Sequence, residues 1–189
     1  MKKTLTALTL AICAIGSSQA APVQWTVAAG GNDHWYEYVT TNVDWHVARA
    51  GALASNFAGM SGYLATLTSA AENMFASLLA GRGGLLAWIG LTDQAVEGVY
   101  RWIDGPEGGQ VTGFTNWAAG EPNDFLTGED YVHTNWAGPG VWNDHGLPHF
   151  PDQRNGYLVE YNAQVPEPMT LALVASALLA GALTRRRQA

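Results

Sequence analysis

Hydrophobic and polar residues in the first half of the chain follow the periods of one strand and two helices. Alternating aromatic side chains from Trp35 to Val39 predict a strand, and the segment from about Asp44 to Leu53 predicts a first helix. A second helix is predicted after Ser69, because Ser69 and Glu72 form a capping box and Gly81 stands where a C-terminal cap belongs. The side chains expected on the apolar face of this helix are Ala71, Phe75, Leu78 and Leu79.

The second half of the chain has shorter apolar runs, which predict strands. These runs are Leu85 to Leu91, Val99 to Ile103, Tyr131 to Thr134, Gly140 to Trp142 and Tyr157 to Tyr161. Trp88, Trp102 and Trp142 lie in or at the end of such runs and are predicted to pack in the core. Between Asp104 and Asp130 the chain is rich in Gly, Asn, Asp and Pro, which predicts a long loop. The pattern favours an α+β fold with two helices packed on small antiparallel sheets.

The first 20 residues have the composition of a secretory signal peptide. Lys2 and Lys3 precede an apolar run from Leu5 to Ile15, and small residues flank the position before Ala20. A buried N-terminal helix is the alternative, but the order of charged, apolar and small residues is the order that export requires. We therefore expect cleavage after Ala20 and an exported mature protein.

The last 25 residues, 165–189, combine a Pro-Glu-Pro motif, an uncharged apolar segment and an arginine cluster. The apolar segment from Met169 to Thr184 has 16 residues and would span about 24 Å as a helix, which is less than the roughly 30 Å of a hydrocarbon core. This tripartite tail resembles the PEP-CTERM sorting signal of Gram-negative bacteria. The resemblance implies contact with the membrane, processing by an exosortase, and final placement at the cell surface or in an extracellular matrix rich in exopolysaccharide.

Residues 21–164 have the length of one domain, and this domain is acidic. From Ala21 to Val165 there are 4 basic residues and 15 acidic ones, which gives a net charge of about −11. Such a field repels nucleic acid and attracts cations. The only cysteine is Cys13, inside the predicted leader, so we expect no disulfide in the mature domain.

Several side chains with oxygen ligands are concentrated in and after the long loop. Glu121 and Asn123 flank Pro122, and a cis bond before the proline would turn both side chains toward one point. Glu129 follows 8 residues after Glu121, and a later strand carries two more oxygen ligands, Asn143 and Asp144. Calcium takes six to eight oxygen ligands, so these five side chains predict a calcium site with room for an outside ligand.

The same motifs resemble those of C-type lectin domains. Trp88-Ile89-Gly90-Leu91 is similar to the core strand motif of that family, Glu121-Pro122-Asn123 to its mannose-type triplet, and Trp142-Asn143-Asp144 to its second calcium motif. The resemblance implies a C-type lectin-like fold in which two vicinal sugar hydroxyls bind the calcium ion directly. It also implies which residues hold the ion and which contact the sugar. The ligands would be Glu121, Asn123, Glu129, Asn143 and Asp144, the last also through its backbone carbonyl, and Phe125 would join the sugar contacts.

The resemblance implies a second, auxiliary calcium site that steadies the long loop. Its ligands would be Asp93, Glu97, Asp124 and Asp130, with Glu129 bridging the two ions. The alternative is that these carboxylates are ordinary turn residues that cap backbone amides.

Departures from the family pattern keep other functions open. The four cysteines usual in the family are absent, and some members bind proteins or ice instead of sugar, so a calcium-stabilised interaction or matrix protein is the main alternative. His133, His145 and His149 raise a zinc alternative, which the lack of thiols and the proline at 148 disfavour. No nucleophile elbow, metalloprotease helix or phosphate-binding loop is present, so we do not expect an enzyme.

Overall fold

The computed structural model describes residues 21–81, 85–126, 128–147 and 156–162. The predicted signal peptide (1–20), the predicted sorting signal (165–189) and His149 lie outside these residues, so the expectations attached to them remain predictions. Within the described ranges, no helix is long and apolar enough to cross a membrane.

The described residues form nine β-strands, two α-helices and one short 3-10 helix (Val27–Ala29). The helices are α1 (Trp45–Ala54) and α2 (Ala70–Leu79). The strands are β1 (Val23–Gln24), β2 (Trp35–Val39), β3 (Asn56–Phe57), β4 (Met60–Leu64), β5 (Ala87–Thr92), β6 (Arg101–Trp102), β7 (Tyr131–Thr134), β8 (Trp142–His145) and β9 (Gly156–Tyr161).

The strands pair in the order β1-β2-β9-β5-β7-β8, with β4 also on β9, β3 on β4 and β6 on β5. The pairing of β5 with β9 is parallel, and the other strand pairs are antiparallel. The sheet is therefore mixed, whereas the sequence predicted antiparallel sheets only. Alternation along a strand shows which side chains share a face but not the direction of the neighbouring strand.

Both helices begin close to the predicted positions, and in each the residue before the first turn caps a backbone amide. The Asp44 carboxylate accepts a hydrogen bond from the Val47 amide at 2.9 Å, and the Ser69 hydroxyl accepts one from the Glu72 amide at 3.2 Å. Gly81 follows α2 with a φ of 83°, the left-handed conformation that glycine adopts at low cost.

The predicted apolar face of α2 is confirmed for Phe75 and Leu79, which are partly buried against the hydrophobic core, and is wrong for the other two residues. Ala71 and Leu78 are exposed, and the residues that α2 buries are Glu72, Asn73, Ala76 and Ser77. These polar side chains are buried because each has a partner. The Asn73 amide donates to the Gly140 carbonyl at 2.8 Å and accepts from the Trp142 indole at 2.8 Å.

Aromatic side chains fill the core, as the sequence predicted. Trp88 and Trp142 are fully buried and Trp102 almost so, with Trp102 and Phe114 packed edge-on against Trp142. The strand predicted at Gly140 to Trp142 instead begins at Trp142 and continues to His145, because these residues pair in register with β7. Asn143 and Asp144 therefore lie within a strand, beside the long loop.

Candidate functional site

The buried carboxylate of Asp144 ties the long loop to the sheet. Its Oδ2 accepts hydrogen bonds from the backbone amides of Asn123 at 3.1 Å and Asp124 at 2.9 Å, and from the Tyr100 hydroxyl at 3.3 Å. The Asn123 amide also contacts Oδ1 at 3.2 Å. An ionised carboxylate accepts several hydrogen bonds at once, so one side chain on β8 orients two consecutive loop residues.

The loop and β8 together enclose an open pocket of about 180 Å³, here called the ligand pocket. The peptide bond between Glu121 and Pro122 is cis. The lining residues are Glu121, Asn123, Phe125, Glu129, Trp136, Asn143 and His145. Four of the five predicted primary ligands therefore meet in one place. The fifth, Asp144, does not line the ligand pocket, since its carboxylate faces the loop amides instead.

The two glutamates of the ligand pocket carry negative charge that is only partly compensated. The Oε2 atom of Glu121 is buried and has no hydrogen-bond partner among the described residues. Burial, followed by the neighbouring Asp144 and Glu129 carboxylates, raises the pKa of Glu121. Burial also raises the pKa of Glu129, although its Oε2 accepts a hydrogen bond from the Phe125 amide at 2.9 Å. A cation placed between these groups would relieve both effects.

The side-chain amide of Asn143 is held through its nitrogen. Nδ2 contacts the backbone carbonyl of Asp144 and lies 3.2 Å from Nε2 of His133. The amide oxygen of Asn143 takes part in no hydrogen bond among the described residues. It therefore remains able to bind a ligand of the pocket, where Asn143 contributes to the lining.

The chemistry of these donors fits calcium, which takes oxygen ligands and tolerates irregular geometry. Glu121 and Glu129 supply carboxylates, Asn123 and Asn143 supply amides, and the buried Oε2 of Glu121 is an acceptor that a cation would satisfy. Across residues 21–81, 85–126, 128–147 and 156–162, no three His, Cys, Asp or Glu side chains are grouped so as to hold a metal ion.

The four residues of the predicted auxiliary site act on one another electrostatically. Loss of hydration, followed by the charges of Asp93 and Asp124, raises the pKa values of both Glu97 and Asp130. Asp93 and Asp124 also behave as turn carboxylates. Asp93 Oδ2 accepts from the Gly98 amide at 2.9 Å, and Asp124 Oδ1 accepts from the Glu129 amide at 3.1 Å. The Oδ1 atom of Asp93, however, is buried without a partner in the described part of the chain.

Two residues of the ligand pocket were not predicted from the sequence as part of the site. Trp136 is 44% exposed and packs edge-on against His133, and His145 follows Asp144 on β8. In the sequence, Trp136 stands out only because it lies between two predicted strands, beside a segment rich in glycine. His133 is fully buried, and burial followed by the charge of His145 lowers its pKa to about 3, so its imidazole is neutral at physiological pH.

Comparison with known proteins gives one family model that matches the chain, the lectin C-type domain, over residues 54–146. Lectin BRA-3 of Megabalanus rosa is 34% identical over 121 residues, which cover 60% of this chain and 69% of that protein. Halomucin of Haloquadratum walsbyi is 32% identical over 160 residues, which cover 77% of this chain but only 2% of halomucin. The chain thus corresponds to a small part of that relative.

Solved structures of the same fold cover most of the described residues. The C-type lectin CEL-I from Cucumaria echinata superposes with a TM-score of 0.59 at 26% identity, over 70% of this chain and 92% of that chain. Its two helices and mixed sheet correspond to the architecture described above.

Proposed function

Because the chain belongs to the C-type lectin domain family, we propose that it binds carbohydrate through a calcium ion held in the ligand pocket. The sugar-binding residues in this proposal are Glu121, Asn123, Phe125, Glu129 and Asn143. The observation that carries the proposal is the meeting of Glu121, Asn123, Glu129 and Asn143 in one open pocket.

Electrostatics support a cation in this pocket. The pKa values of Glu121 and Glu129 are raised because the folded protein holds both carboxylates partly desolvated and close to the negative charge of Asp144. When bound, calcium would neutralise this charge and polarise two vicinal hydroxyls of a sugar.

The residues around the ion would select the stereochemistry of the sugar. Carboxylates of Glu121 and Glu129 accept hydrogen bonds from hydroxyls, as the amide oxygen of Asn143 can. The side-chain amide of Asn123 can donate to a hydroxyl oxygen, so each hydroxyl meets a directional partner. Asp144 keeps the Asn123 and Asp124 amides in place and does not contact the sugar through its carboxylate. Phe125 and Trp136 stand at the rim, where a ring face can pack against C–H groups of the sugar.

The triplet Glu121-Pro122-Asn123 favours sugars of the mannose and glucose type. This assignment rests on the family resemblance of the motif, and the position of Phe125 leaves galactose-type sugars as the alternative. Exchanging the order of acid and amide, in a Glu121→Gln, Asn123→Asp double variant, should shift preference toward galactose. Unchanged selectivity would show that the triplet does not choose the sugar.

We further propose that the protein acts outside the cytoplasm, on a surface or extracellular polysaccharide. The predicted signal peptide and the resemblance of the C-terminal tail to a sorting signal support export followed by processing by an exosortase. The mature domain has only the four basic residues counted above, so nucleic acid is not proposed as a partner.

The test is retention of the full chain on immobilised mannose in millimolar calcium, repeated with a chelator. We expect retention that the chelator abolishes, and a Glu129→Gln variant should lose it. Glu37→Gln is the matched control, since Glu37 lies on β2 outside the ligand pocket and the substitution keeps an acceptor for the Tyr161 hydroxyl. Calcium-dependent stabilisation without sugar binding would favour an interaction or matrix protein, and absence of any calcium effect would refute the proposal.

A further inference from the structure

A row of three side chains crosses the sheet from the core to the ligand pocket. His133 on β7 stands opposite Trp88 on β5 and opposite Asn143 on β8. Side chains at directly opposed positions of neighbouring strands share one face of the sheet and contact each other. Trp88 and His133 are fully buried, whereas Asn143 lines the ligand pocket. His133 therefore stands between the core and a residue of the ligand pocket.

Hydrogen-bond chemistry fixes the position of the proton on the His133 ring. Nδ2 of Asn143 contacts the Asp144 backbone carbonyl, which can only accept, so the NH₂ end of the amide faces that carbonyl. Nδ2 also lies 3.2 Å from Nε2 of His133. An NH₂ group can only donate, so Nε2 is the unprotonated nitrogen and Nδ1 carries the ring proton. This state requires a neutral ring, and burial, followed by the charge of His145, lowers the pKa of His133 to about 3.

The ring of His133 is held in place by aromatic neighbours. It packs edge-on against Trp88 at 5.5 Å and against Trp136 at 5.6 Å, both measured between ring centroids. The His145 ring makes a third contact at 5.7 Å. These contacts and complete burial hold the imidazole in one orientation, so Nε2 stays directed at Asn143.

We infer that His133 is a positioning residue of the ligand pocket. Its ring accepts a hydrogen bond from Nδ2 of Asn143 and thereby directs Oδ1 of that amide to the calcium ion and the sugar. The inference rests on the proposed function, and it makes Asn143 an oxygen ligand that does not donate to the sugar. The Asp144 carbonyl, the other acceptor for Nδ2, is itself a predicted calcium ligand. When an ion takes up that carbonyl, His133 is the partner that still holds the amide.

A histidine that only fills space in the core differs from one that positions Asn143. Packing depends on the size and shape of the ring, whereas positioning depends on the acceptor nitrogen. Phenylalanine keeps a ring beside Trp88 and Trp136 but offers no acceptor. Glutamine gives up the ring but supplies an acceptor oxygen to Nδ2 of Asn143.

Nitrogen NMR of the full chain, with isotope-labelled histidine in calcium-free buffer, tests the orientation of the Asn143 amide. His133→Gln identifies the signals of His133 by their loss. We expect a neutral His133 ring with a protonated Nδ1 and an unprotonated Nε2. A proton on Nε2 would require Oδ1 of Asn143 to face the ring, and would overturn the inference.

Calcium titration followed by tryptophan fluorescence, together with urea denaturation in calcium-free buffer, separates positioning from packing. We expect His133→Phe to lower calcium affinity about tenfold, within the usual cost of removing a group that orients a metal ligand. Its unfolding midpoint should stay close to that of the wild type, because the ring is kept. His133→Gln should restore most of the calcium affinity, because an acceptor is present again.

Thr134→Val is the matched control on the same strand. Thr134 is also fully buried, and its hydroxyl lies 3.1 Å from the Ser77 hydroxyl. Its side chain points to the other face of the sheet from that of His133, because successive residues of a strand alternate. Loss of this hydroxyl should lower the unfolding midpoint and leave calcium affinity unchanged, the opposite of His133→Phe.

The outcomes distinguish the inference from the proposed function. Wild-type calcium affinity in His133→Phe, or equal losses in His133→Phe and His133→Gln, overturns the positioning role and leaves the proposed function standing. Failure of the wild type to bind calcium overturns the proposed function and the inference with it. The NMR test needs no bound calcium, so it decides the orientation of the amide even if His133→Phe does not fold.

Discussion

Two acidic side chains at the ligand pocket, Asp144 and Glu121, differ in the hydrogen bonds that their carboxylate oxygens accept. Asp144 accepts hydrogen bonds from the Asn123 and Asp124 amides and from the Tyr100 hydroxyl. The Oε2 atom of Glu121 is buried and accepts no hydrogen bond from the described residues. At the residue scale, therefore, Asp144 positions the loop and Glu121 remains available to a ligand.

Asp144→Asn should weaken calcium binding by about 10- to 100-fold, the usual cost of removing a group that orients metal ligands. An amide offers one acceptor oxygen and would turn an NH₂ group toward the loop amides, so the loop would lose its orientation. Calcium titration followed by tryptophan fluorescence measures the effect. Asp104→Asn, which removes a charge beside Arg49 outside the ligand pocket, should leave calcium affinity unchanged. A normal calcium affinity in Asp144→Asn would contradict this role.

The sequence predicted which residues line the ligand pocket better than it predicted the role of each residue. The spacing of three oxygen-bearing side chains predicted that they lie together. The fold does bring Glu121, Asn123 and Glu129 together in the ligand pocket. The engagement of Asp144 by loop amides and the approach of Trp136 to the pocket depend on how the loop packs on β8. No local pattern in the sequence encodes that packing.

At the scale of elements, α2 is attached by buried polar contacts as well as by the apolar side chains of Phe75, Ala76 and Leu79. Asn73 bridges the Gly140 carbonyl and the Trp142 indole, and the Ser77 hydroxyl lies 3.1 Å from the Thr134 hydroxyl. Capping residues predicted the bounds of α2 well, because capping is local. Periodicity predicted the inward position of Phe75 and Leu79 but not the buried polar side chains, because polar residues are buried at low cost only when distant partners are present.

Asn73→Ala should destabilise the fold by about 2 to 4 kcal/mol, since it leaves the Gly140 carbonyl and the Trp142 indole N–H without this partner in a buried place. Urea denaturation measures the change in the free energy of unfolding. Met74→Ala is the matched control on the exposed face of α2 and should change it by less than about 0.5 kcal/mol. An equal change in the free energy of unfolding for the two substitutions would contradict a stabilising role for the hydrogen bonds of Asn73.

An ion pair between His34 and the buried Glu160 connects the start of β2 to β9. His34 Nδ1 lies 2.5 Å from Glu160 Oε1. Burial lowers the pKa of His34, but the hydrogen bond and the charge of Glu160 raise it more, so that the net shift is upward from 6.5. The folded state therefore holds the His34 proton more tightly than the unfolded state does. The stability from this pair is fully present below about pH 6.5 and is lost as pH rises through the raised pKa.

Substituting His34 by Gln tests this linkage. Denaturation of the wild type and of His34→Gln, in calcium-free buffer between about pH 5.5 and pH 8.5, gives the difference in unfolding free energy at each pH. We expect this difference to shrink as pH rises. A difference that is constant, or that grows with pH, would show that the imidazolium of His34 does not stabilise the fold.

At the scale of the whole molecule, the domain concentrates acidic side chains at one end of the sheet. Glu97, Glu121, Glu129 and Asp130 all have pKa values raised by burial or loss of hydration and by neighbouring charge. The only cysteine in the sequence is Cys13, so no disulfide can restrain this region in residues 21–164. Bound cations would take over part of that restraint.

Calcium should therefore stabilise the domain more at neutral than at acidic pH. Because these carboxyl pKa values are raised, their contribution in calcium-free buffer is present below about pH 4.5 and is lost as pH rises through the folded pKa values. Calcium binds the ionised form, so it offsets this loss. Melting curves with and without calcium at pH 5 and pH 7.5 should show the larger rise in Tm at about pH 7.5. An equal rise at both pH values would argue against binding through these carboxylates.

The affinity for a sugar, measured over a series of free calcium concentrations, tests the account most directly. If a calcium ion in the ligand pocket binds the sugar hydroxyls, the affinity of the full chain for methyl α-mannoside should rise with calcium until the ion site is saturated. Without calcium it should fall below detection. Binding that is equally strong at every calcium concentration would contradict a calcium-dependent lectin. Binding that is absent at all of them, for methyl α-mannoside and for methyl β-galactoside alike, would contradict it as well.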